Sequence, residues 1–403
     1  MNLQSSFVPL LILADDLTGA ADCAARCHQA GLPGTISLEP PTPPLPQGAL
    51  AFTSDSRHLG PEAAAQRVRQ AVAGLRDLPA HWYKKIDSTL RGHLGPELDA
   101  LLESLDRPCA VICPAFPGQG RGLRAGYLVA PGVPDRSLHL PTLLRRQSQR
   151  RVAFAPQSPH LAQDLAAARK QGAEFLVVDG LSRNHLARIL DGVETALPQA
   201  LLCGSAGLVG VWAERLAERR GPGSGQEQAR PSELPRPVLA VVGSGSAVAH
   251  QQMARLAESG LGVDRLQVEG QVAEEAAGAT AEAVAAQLDP AQEIWLLHLP
   301  PPPDGTRLDG PQARRLAQAL ARAGMAAMAV RWPATLLLVG GDTATALLRE
   351  LGVARLEVLA ELEPGMPLCR GEDGQGRSLQ VLLKAGSHGQ AETLVRLLGG
   401  SQG

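Results

Sequence analysis

Short apolar runs alternate with segments of helical spacing along the first half of the chain. The runs predict strands at residues 10–14, 49–53, 81–86, 109–113, 175–179 and 200–203. Apolar residues at intervals of three and four predict helices at 19–30 and 61–75, and the leucines between 94 and 105 follow the same spacing. Strands that alternate with helices build a parallel sheet that helices cover. The first half is therefore predicted to be an α/β domain.

A polar stretch rich in glycine and proline interrupts this alternation near the middle of the chain. It covers residues 219–237, RRGPGSGQEQARPSELPRP, and predicts a linker between domains. The alternation then restarts, with predicted strands at 238–242, 294–299, 336–339 and 379–383 and predicted helices at 247–259, 311–322 and 344–351. We therefore predict two α/β domains, 1–218 and 238–403, each a mainly parallel sheet flanked by helices.

Composition narrows the classes of protein that the pattern allows. The chain has 403 residues, of which 44% are hydrophobic and 3% aromatic, and its formal net charge is -2. This balance favours neither nucleic acid nor a membrane surface as a partner, and no apolar run reaches the roughly 18 residues of a membrane span. Six sparse cysteines predict reduced thiols and a cytoplasmic setting, and their spacing predicts no zinc site.

Two adjacent acids, Asp15 and Asp16, follow the first predicted strand directly. Ligands of open α/β sheets bind at the carboxyl ends of the strands, so these acids are candidates for site residues. Carboxylates there could accept hydrogen bonds from a polyol, hold a metal, or act as a general base. The alternative is that Asp16 or Thr18 only caps the following helix, which needs no ligand.

A dense polar cluster follows the third predicted strand in the segment KKIDSTLRG. Such density suits an oxygen-rich anionic ligand, with an arginine making a bidentate carboxylate contact. The candidate residues are Lys84, Asp87, Ser88, Thr89 and Arg91. In the alternative interpretation the hydroxyl side chains cap the next helix and Lys85 is solvated. Two weaker candidates are Arg57, after the second strand, and Arg121, in a loop rich in proline and glycine.

Three glycine turns join strands to helices in the second half. Glycine lets backbone N–H groups approach a phosphate, and a helix N-terminus favours its negative charge. The candidate nucleotide-binding residues are Ser244, Ser246, Gly340, Gly341, Asp342, Thr343 and Gly386. Neither the P-loop nor the dinucleotide-binding fingerprint is present, so the prediction of a nucleotide-binding site depends on finding three such turns in one domain.

These motifs together resemble those of the four-carbon acid sugar kinases. The segments that carry the resemblance are ADDLTGAAD, KKIDSTLRG, CPAFPGQGR, CGSAGL, VGSGS, GGDTA, PGMP and LKAGSHG. Their order and spacing agree from about residue 10 to 395. The resemblance implies a sugar-acid-binding N-terminal domain, an ATP-binding C-terminal domain and an active site in the cleft between them. It also implies transfer of phosphate from ATP to a 3-oxo-tetronate, threonate or erythronate, commonly giving the 4-phosphate.

The resemblance and the residues together suggest a division of roles. We expect Lys84, Arg57 and Arg91, with Asp15 and Asp87, to hold the carboxylate and hydroxyls of the acid, and Asp16 to act as general base. Ser88, Thr89 and Arg121 are expected to complete the substrate site. The glycine turns would hold ATP, and Mg²⁺ would bridge its phosphates with few protein ligands.

Two alternatives remain open, a catalytically silent sugar-acid sensor and another transferase or hydrolase acting on sugar phosphates. The sequence leaves both the acid and the phosphorylated hydroxyl undetermined. Residues 135–151 are short, basic and unlike the corresponding family segment, which bears on the identity of the acid. An exposed sheet edge could support a homodimer.

Overall fold

The structure, a computed structural model, describes residues 8–220, 231, 233–268, 284, 286–300 and 310–399. The chain divides into two compact units, Met1–Gln226 and Glu227–Gly403. Each unit combines a mainly parallel sheet with flanking helices, as predicted. Most of the predicted linker lies outside the described residues, so its bounds stay a prediction.

Within its described residues, 8–220, the first unit contains eight strands in one parallel sheet and a separate hairpin. The sheet strands are β1 (Leu10–Ala14), β2 (Gly34–Ser37), β3 (Ala49–Thr53), β4 (His81–Lys85), β5 (Ala110–Cys113), β8 (Val152–Ala155), β9 (Phe175–Val178) and β10 (Leu201–Gly204). Their order is β2-β3-β1-β4-β10-β5-β9-β8. The hairpin consists of β6 (Gly122–Arg124) and β7 (Tyr127–Val129).

The described residues of this unit also form seven α-helices. They are α1 (Leu17–Gln29), α2 (Pro61–Ala71), α3 (Leu94–Leu105), α4 (Leu140–Gln147), α5 (Leu161–Lys170), α6 (Arg183–Ala196) and α7 (Ala206–Arg220). β1 pairs with β3 on one side and β4 on the other, and all five of its residues are buried. A strand covered on both faces reads as a continuous apolar run, which is why the sequence pattern located it correctly.

The second unit also builds its sheet around a central parallel strand. Its strands are β11 (Val238–Val242), β12 (Asp264–Gln267), β13 (Ile294–His298), β14 (Thr335–Val339), β15 (Arg355–Glu363), β16 (Met366–Glu372) and β17 (Ser378–Lys384). They follow the order β12-β13-β11-β14-β17-β16-β15. The last two pairings, β17 with β16 and β16 with β15, are antiparallel. The helices are α8 (Ala247–Glu258), α9 (Gly310–Val330), α10 (Gly341–Glu350) and α11 (Thr393–Gly399).

The sequence pattern missed strands that are short or covered on only one face. β2 and β8 have four residues each, and the β6–β7 hairpin has three in each strand. In β15, buried Leu356 and Val358 alternate with exposed Arg355 and Glu357, which is the period-two signal of a half-buried strand. The atypical segment 135–151 contains α4, whose basic residues Arg145 and Arg146 lie in its last turn. No helix among the described residues is long and apolar enough to cross a membrane.

We predict that Gly34→Ala destabilises the first unit because β2 approaches the backbone of α1 too closely for a side chain. A Cβ at Gly34 would lie well inside the van der Waals distance of the Ala24 carbonyl oxygen. The expected loss is about 1–3 kcal/mol of unfolding free energy, measured by urea denaturation.

Gly60→Ala is the matched control, because a Cβ there meets nothing within 4 Å and the φ angle of Gly60 is -70°. Its unfolding free energy should change by no more than about 0.5 kcal/mol. Equal effects of the two substitutions would contradict the argument from close approach.

Candidate functional site

Three loops that are far apart in sequence meet at the carboxyl ends of β3, β1 and β4. Asp15 and Asp16 follow β1, Ser54–Arg57 follow β3, and Asp87–Arg91 follow β4. β1 lies between β3 and β4 in the sheet. The chain continues from β1 to β2 and β3 on one side, and then crosses to β4 on the other side. Such a switch point is where open α/β sheets bind ligands. The candidate residues of the first unit gather around it.

Arg57 links the two adjacent acids to the neighbouring strand. Its Nε and Nη2 each donate to an Asp15 carboxylate oxygen at 2.8 Å, and its Nη1 donates to Asp16 Oδ2. Its Nη2 also lies 4.0 Å from Asp87 Oδ1. Burial would raise the pKa of Asp15, but the Arg57 guanidinium, helped by two lysines, outweighs burial and lowers that pKa. Arg57 therefore donates its hydrogen bonds to protein carboxylates and fixes their orientation.

Asp16 is the N-cap of α1. Its Oδ1 accepts from the Gly19 backbone N–H at 2.8 Å, and its Oδ2 accepts from the Thr18 hydroxyl at 2.6 Å. The predicted helix cap is thus present. Its side chain retains 16% exposure, more than the 4% of Asp15, so the cap holds an accessible carboxylate in one orientation.

Asp87 organises the loop after β4. Arg91 Nε and Nη2 donate to its two oxygens at 2.9 Å each, and the Thr89 backbone N–H donates at 3.1 Å. Burial raises the pKa of Asp87, but Arg91 and then Arg57 overcome this and hold it far below its usual value. Arg121 Nη1 donates to Ser88 Oγ at 2.7 Å, which brings the proline-rich loop into the same cluster.

Lys84 lies beneath the cluster. Its Nζ is 2.7 Å from Glu97 Oε2 in α3, and the side chain is fully buried. Glu97 Oε1 accepts from the Ser56 hydroxyl at 2.8 Å, so the ion pair ties β4, α3 and the loop after β3 together. Sequence reasoning missed Glu97, although an acid on the apolar face of a leucine-rich helix is a usable signal of a buried partner. Lys85 is also buried, so its interpretation as a solvated side chain is wrong.

The glycine turns of the second unit follow β11, β14 and β17, which are adjacent in its sheet. Ser246 caps α8 and donates its hydroxyl to the Gly386 carbonyl at 2.7 Å. A Cβ at Gly386 would overlap the Ser244 hydroxyl, and Gly340 has a φ angle of 112° at the N-terminus of α10. The turns therefore pack so closely that only glycine fits, and two helix N-termini adjoin them. This arrangement suits a phosphate chain.

The remaining nucleotide candidates lie in the same turns. Gly341, Asp342 and Thr343 form the first turn of α10, and Thr343 is buried against Gly243. Sequence reasoning did not single out Lys384, the last residue of β17, whose burial lowers its pKa to about 8. Among the described residues, no group of three or more His, Cys, Asp or Glu side chains is placed to hold a metal ion.

Comparison with known proteins assigns the two units to known domain types. Residues 10–211 match the model of a sugar-binding N-terminal domain, and residues 239–394 match that of a nucleotide-binding C-terminal domain. A D-threonate kinase of Bordetella bronchiseptica is 33% identical over 410 residues, which is 96% of this chain and 95% of the relative. The chain belongs to the four-carbon acid sugar kinase family. Members of this family are phosphotransferases that act on a hydroxyl group.

Other comparisons agree with this membership. A 3-oxo-tetronate kinase of Cupriavidus necator is 28% identical and covers 97% of this chain and 98% of its own length. A solved structure from Salmonella typhimurium LT2 matches with a TM-score of 0.73 at 22% identity, covering 96% of this chain and 98% of that one, which shows a shared fold.

We predict that Lys84→Met destabilises the protein by about 3–5 kcal/mol, because it leaves the Glu97 carboxylate buried without its cation. The double variant Lys84→Met/Glu97→Gln should recover most of that loss, since a neutral amide still hydrogen-bonds to Ser56. Chemical denaturation of the single and double variants measures both effects.

The control is Arg69→Met, which removes a partner of the exposed Glu103 and should cost at most about 1 kcal/mol. If the double variant were as unstable as the single one, an unpaired buried charge would not be the cause.

Proposed function

We propose that this chain is an ATP-dependent kinase that phosphorylates a four-carbon sugar acid of the 3-oxo-tetronate, threonate or erythronate type on its terminal hydroxyl, giving the 4-phosphate. One observation carries the proposal: acidic and basic side chains converge at the strand switch point of a sugar-binding domain. The names of full-length relatives, D-threonate kinase and 3-oxo-tetronate kinase among them, support the substrate class.

Arg91 and Arg121 are suited to bind the carboxylate of the acid. The Arg91 side chain is 47% exposed while its Nε and Nη2 stay on Asp87, so an outward donor remains for a ligand. Arg121 sits beside the Ser88 hydroxyl, and Thr89 follows directly in the same loop. Charge-assisted, bidentate arginine contacts are the strong ones for carboxylates. In this proposal Asp15, Arg57 and Lys84 position the site and do not themselves hold substrate.

Asp16 is the proposed general base. Its carboxylate is more exposed than that of Asp15, and its hydrogen bonds to Thr18 and Gly19 fix its direction. In phosphoryl transfer such a base orients the attacking hydroxyl, and most of the catalysis comes from positioning and charge neutralisation. Asp87 contributes by holding Arg91 and by adding negative charge opposite Arg57.

The glycine turns of the second domain are the proposed ATP site. Ser244, Ser246 and Gly386 are in contact there, and the N-termini of α8 and α10 favour phosphate. The residues fit Mg²⁺ in the sense that Asp342 supplies a carboxylate in the same turn, and this ion usually needs only one or two protein carboxylates plus phosphates. When bound, the ion would neutralise charge on the phosphates.

Three predictions from the sequence remain proposals. They are the domain bounds 1–218 and 238–403, the active site in an interdomain cleft, and a homodimer. A silent sensor or a sugar-phosphate hydrolase differs from the kinase in what it releases, so product analysis separates them.

We predict that the purified chain releases ADP from ATP and Mg²⁺ only when a four-carbon sugar acid is added. The measurement is coupled detection of ADP with D-threonate, D-erythronate and 3-oxo-tetronates, followed by mass and NMR analysis of the product. Binding of an acid without any ADP would indicate the sensor. Release of phosphate from an added sugar-acid phosphate in the absence of ATP would indicate the hydrolase.

We further predict that substitutions in the two sites separate kinetically. Asp16→Asn keeps the helix cap but loses the base, so kcat should fall by roughly 10²-fold with ATP binding retained. Gly386→Val fills the space beside Ser244 and should weaken ATP binding by about tenfold or more, with acid binding retained.

Steady-state kinetics and calorimetric titration of an ATP analogue provide these values, with exposed Asp77→Asn as control. Full turnover in Asp16→Asn would remove that residue from the base role, and normal ATP binding by Gly386→Val would refute the assignment of the ATP site.

A further inference from the structure

A cavity of about 310 Å³ opens in the first unit where the chain enters β4, β5 and β10. These three strands are neighbours and run parallel, so their carboxyl ends, with Asp87 and the other candidate residues, lie at the opposite edge of the sheet. The five residues of β4 alone separate the two edges by about 13 Å. The cavity is therefore distinct from the candidate sugar-acid site, and its volume lies in the range of roughly 300–1,000 Å³ that small-molecule sites occupy.

Most of the cavity wall is apolar, and two tryptophans contribute to it. Trp82 belongs to β4 and Trp212 to α7, while Leu190 and Val193 line the cavity from α6. The ring of Trp212 also meets that of His81, with 5.6 Å between the ring centroids. Flat hydrophobic walls of this kind suit an aromatic ring.

One guanidinium in the wall has no acid of its own. Arg107, which lies between α3 and β5, makes no side-chain hydrogen bond or ion pair with any residue that the structure describes. Glu103 and Asp106, the acids nearest to it in sequence, bind Arg69 and Arg76 instead. Of the three unpartnered Arg107 nitrogens only Nε is inaccessible, so Nη1 and Nη2 can donate to a ligand.

The other polar groups of the wall do not cancel this charge. Arg219 donates to both oxygens of Glu194 at 3.0 Å, and Arg215 lies 3.7 Å from the same carboxylate, so that acid is already neutralised. Burial lowers the pKa of His81, and Arg219 and Arg107 lower it further against the smaller opposing effect of Glu194. His81 is therefore neutral at neutral pH. The unbalanced charge of the wall is that of Arg107, and it favours an anion.

We propose that this cavity binds a small aromatic carboxylate, whose oxygens accept hydrogen bonds from Arg107 Nη1 and Nη2 and whose ring packs against Trp82 and Trp212. Bidentate contacts of arginine with a carboxylate are strong and directional. An inorganic anion would leave the apolar wall uncovered, and an uncharged arene would leave the guanidinium unpaired. The site does not depend on the proposed function, because it lies at the other edge of the sheet.

The test is calorimetric titration of the full chain with 2-naphthoate and with 2-naphthamide, which has a similar shape and no charge. Wild-type protein should bind the carboxylate at least about tenfold more tightly than the amide, since only the carboxylate pairs with Arg107. Equal affinities, or no binding of 2-naphthoate, would overturn the proposal.

Substitutions locate the binding. Arg107→Met should reduce the preference for the carboxylate to below about threefold, whereas Arg188→Met, the matched control at an exposed position of α6 outside the cavity, should keep it. Arg121→Met should also keep the preference, because Arg121 belongs to the sugar-acid cluster. A preference that survives in Arg107→Met, or is lost in Arg121→Met, places the ligand elsewhere and refutes the site.

A cavity-filling variant supplies an independent readout. Ala200 lines the cavity before β10, so Ala200→Phe should occupy its space and weaken binding of 2-naphthoate by about tenfold or more. This variant decides the question if Arg107→Met does not fold, and thermal unfolding of each variant checks its folding. Undiminished binding by folded Ala200→Phe would contradict the proposal.

Discussion

The chemistry of the first domain depends on one buried guanidinium. Arg57 follows β3 and binds Asp15 and Asp16, which follow β1, so it joins two adjacent strands at their carboxyl ends. Two neighbouring carboxylates repel each other strongly where water is scarce, and the delocalised cation between them offsets that repulsion. The planar fork of arginine provides several directed donors, which the point charge of a lysine does not. The orientation of Asp16, and with it the proposed base, follows from this contact.

Around Arg57 the charged groups fall into two classes. The first class forms ion pairs within the protein and acts as a rigid frame; its members are Lys84, Glu97, Asp15 and Asp87. Lys85 and Asp22 are also buried, and Asp22 Oδ1 has no hydrogen-bond partner among the described residues. The second domain uses different means, since its turns present backbone groups and helix ends in space that only glycine leaves open. In the proposed assignment, charged side chains bind the acid and backbone groups bind the phosphates.

Sequence reasoning succeeded where burial on both faces makes a strand uniformly apolar. β1, β3 and β11 were located to the residue, and the polar motifs were correctly attached to their carboxyl ends. It failed for β2, whose segment GTIS is not an apolar run, for β8, which is only partly buried, and for β15, whose alternating pattern was overlooked. The alternative in which Lys85 is solvated was also wrong, because both lysines at the end of β4 are buried. Adjacent residues of a strand point to opposite faces, and the sequence alone does not say that both faces are covered.

The sequence by itself determined the α/β class, the alternation in both halves and the chemical types that follow each strand, because these depend on local periodicity and composition. Only the tertiary structure decided which charges neutralise each other. Ion pairing depends on distances of a few ångströms between residues far apart in the chain, such as Arg57 with Asp15 or Lys84 with Glu97. The pairing of strands sets those distances, because it brings the carboxyl ends of β3, β1 and β4 side by side.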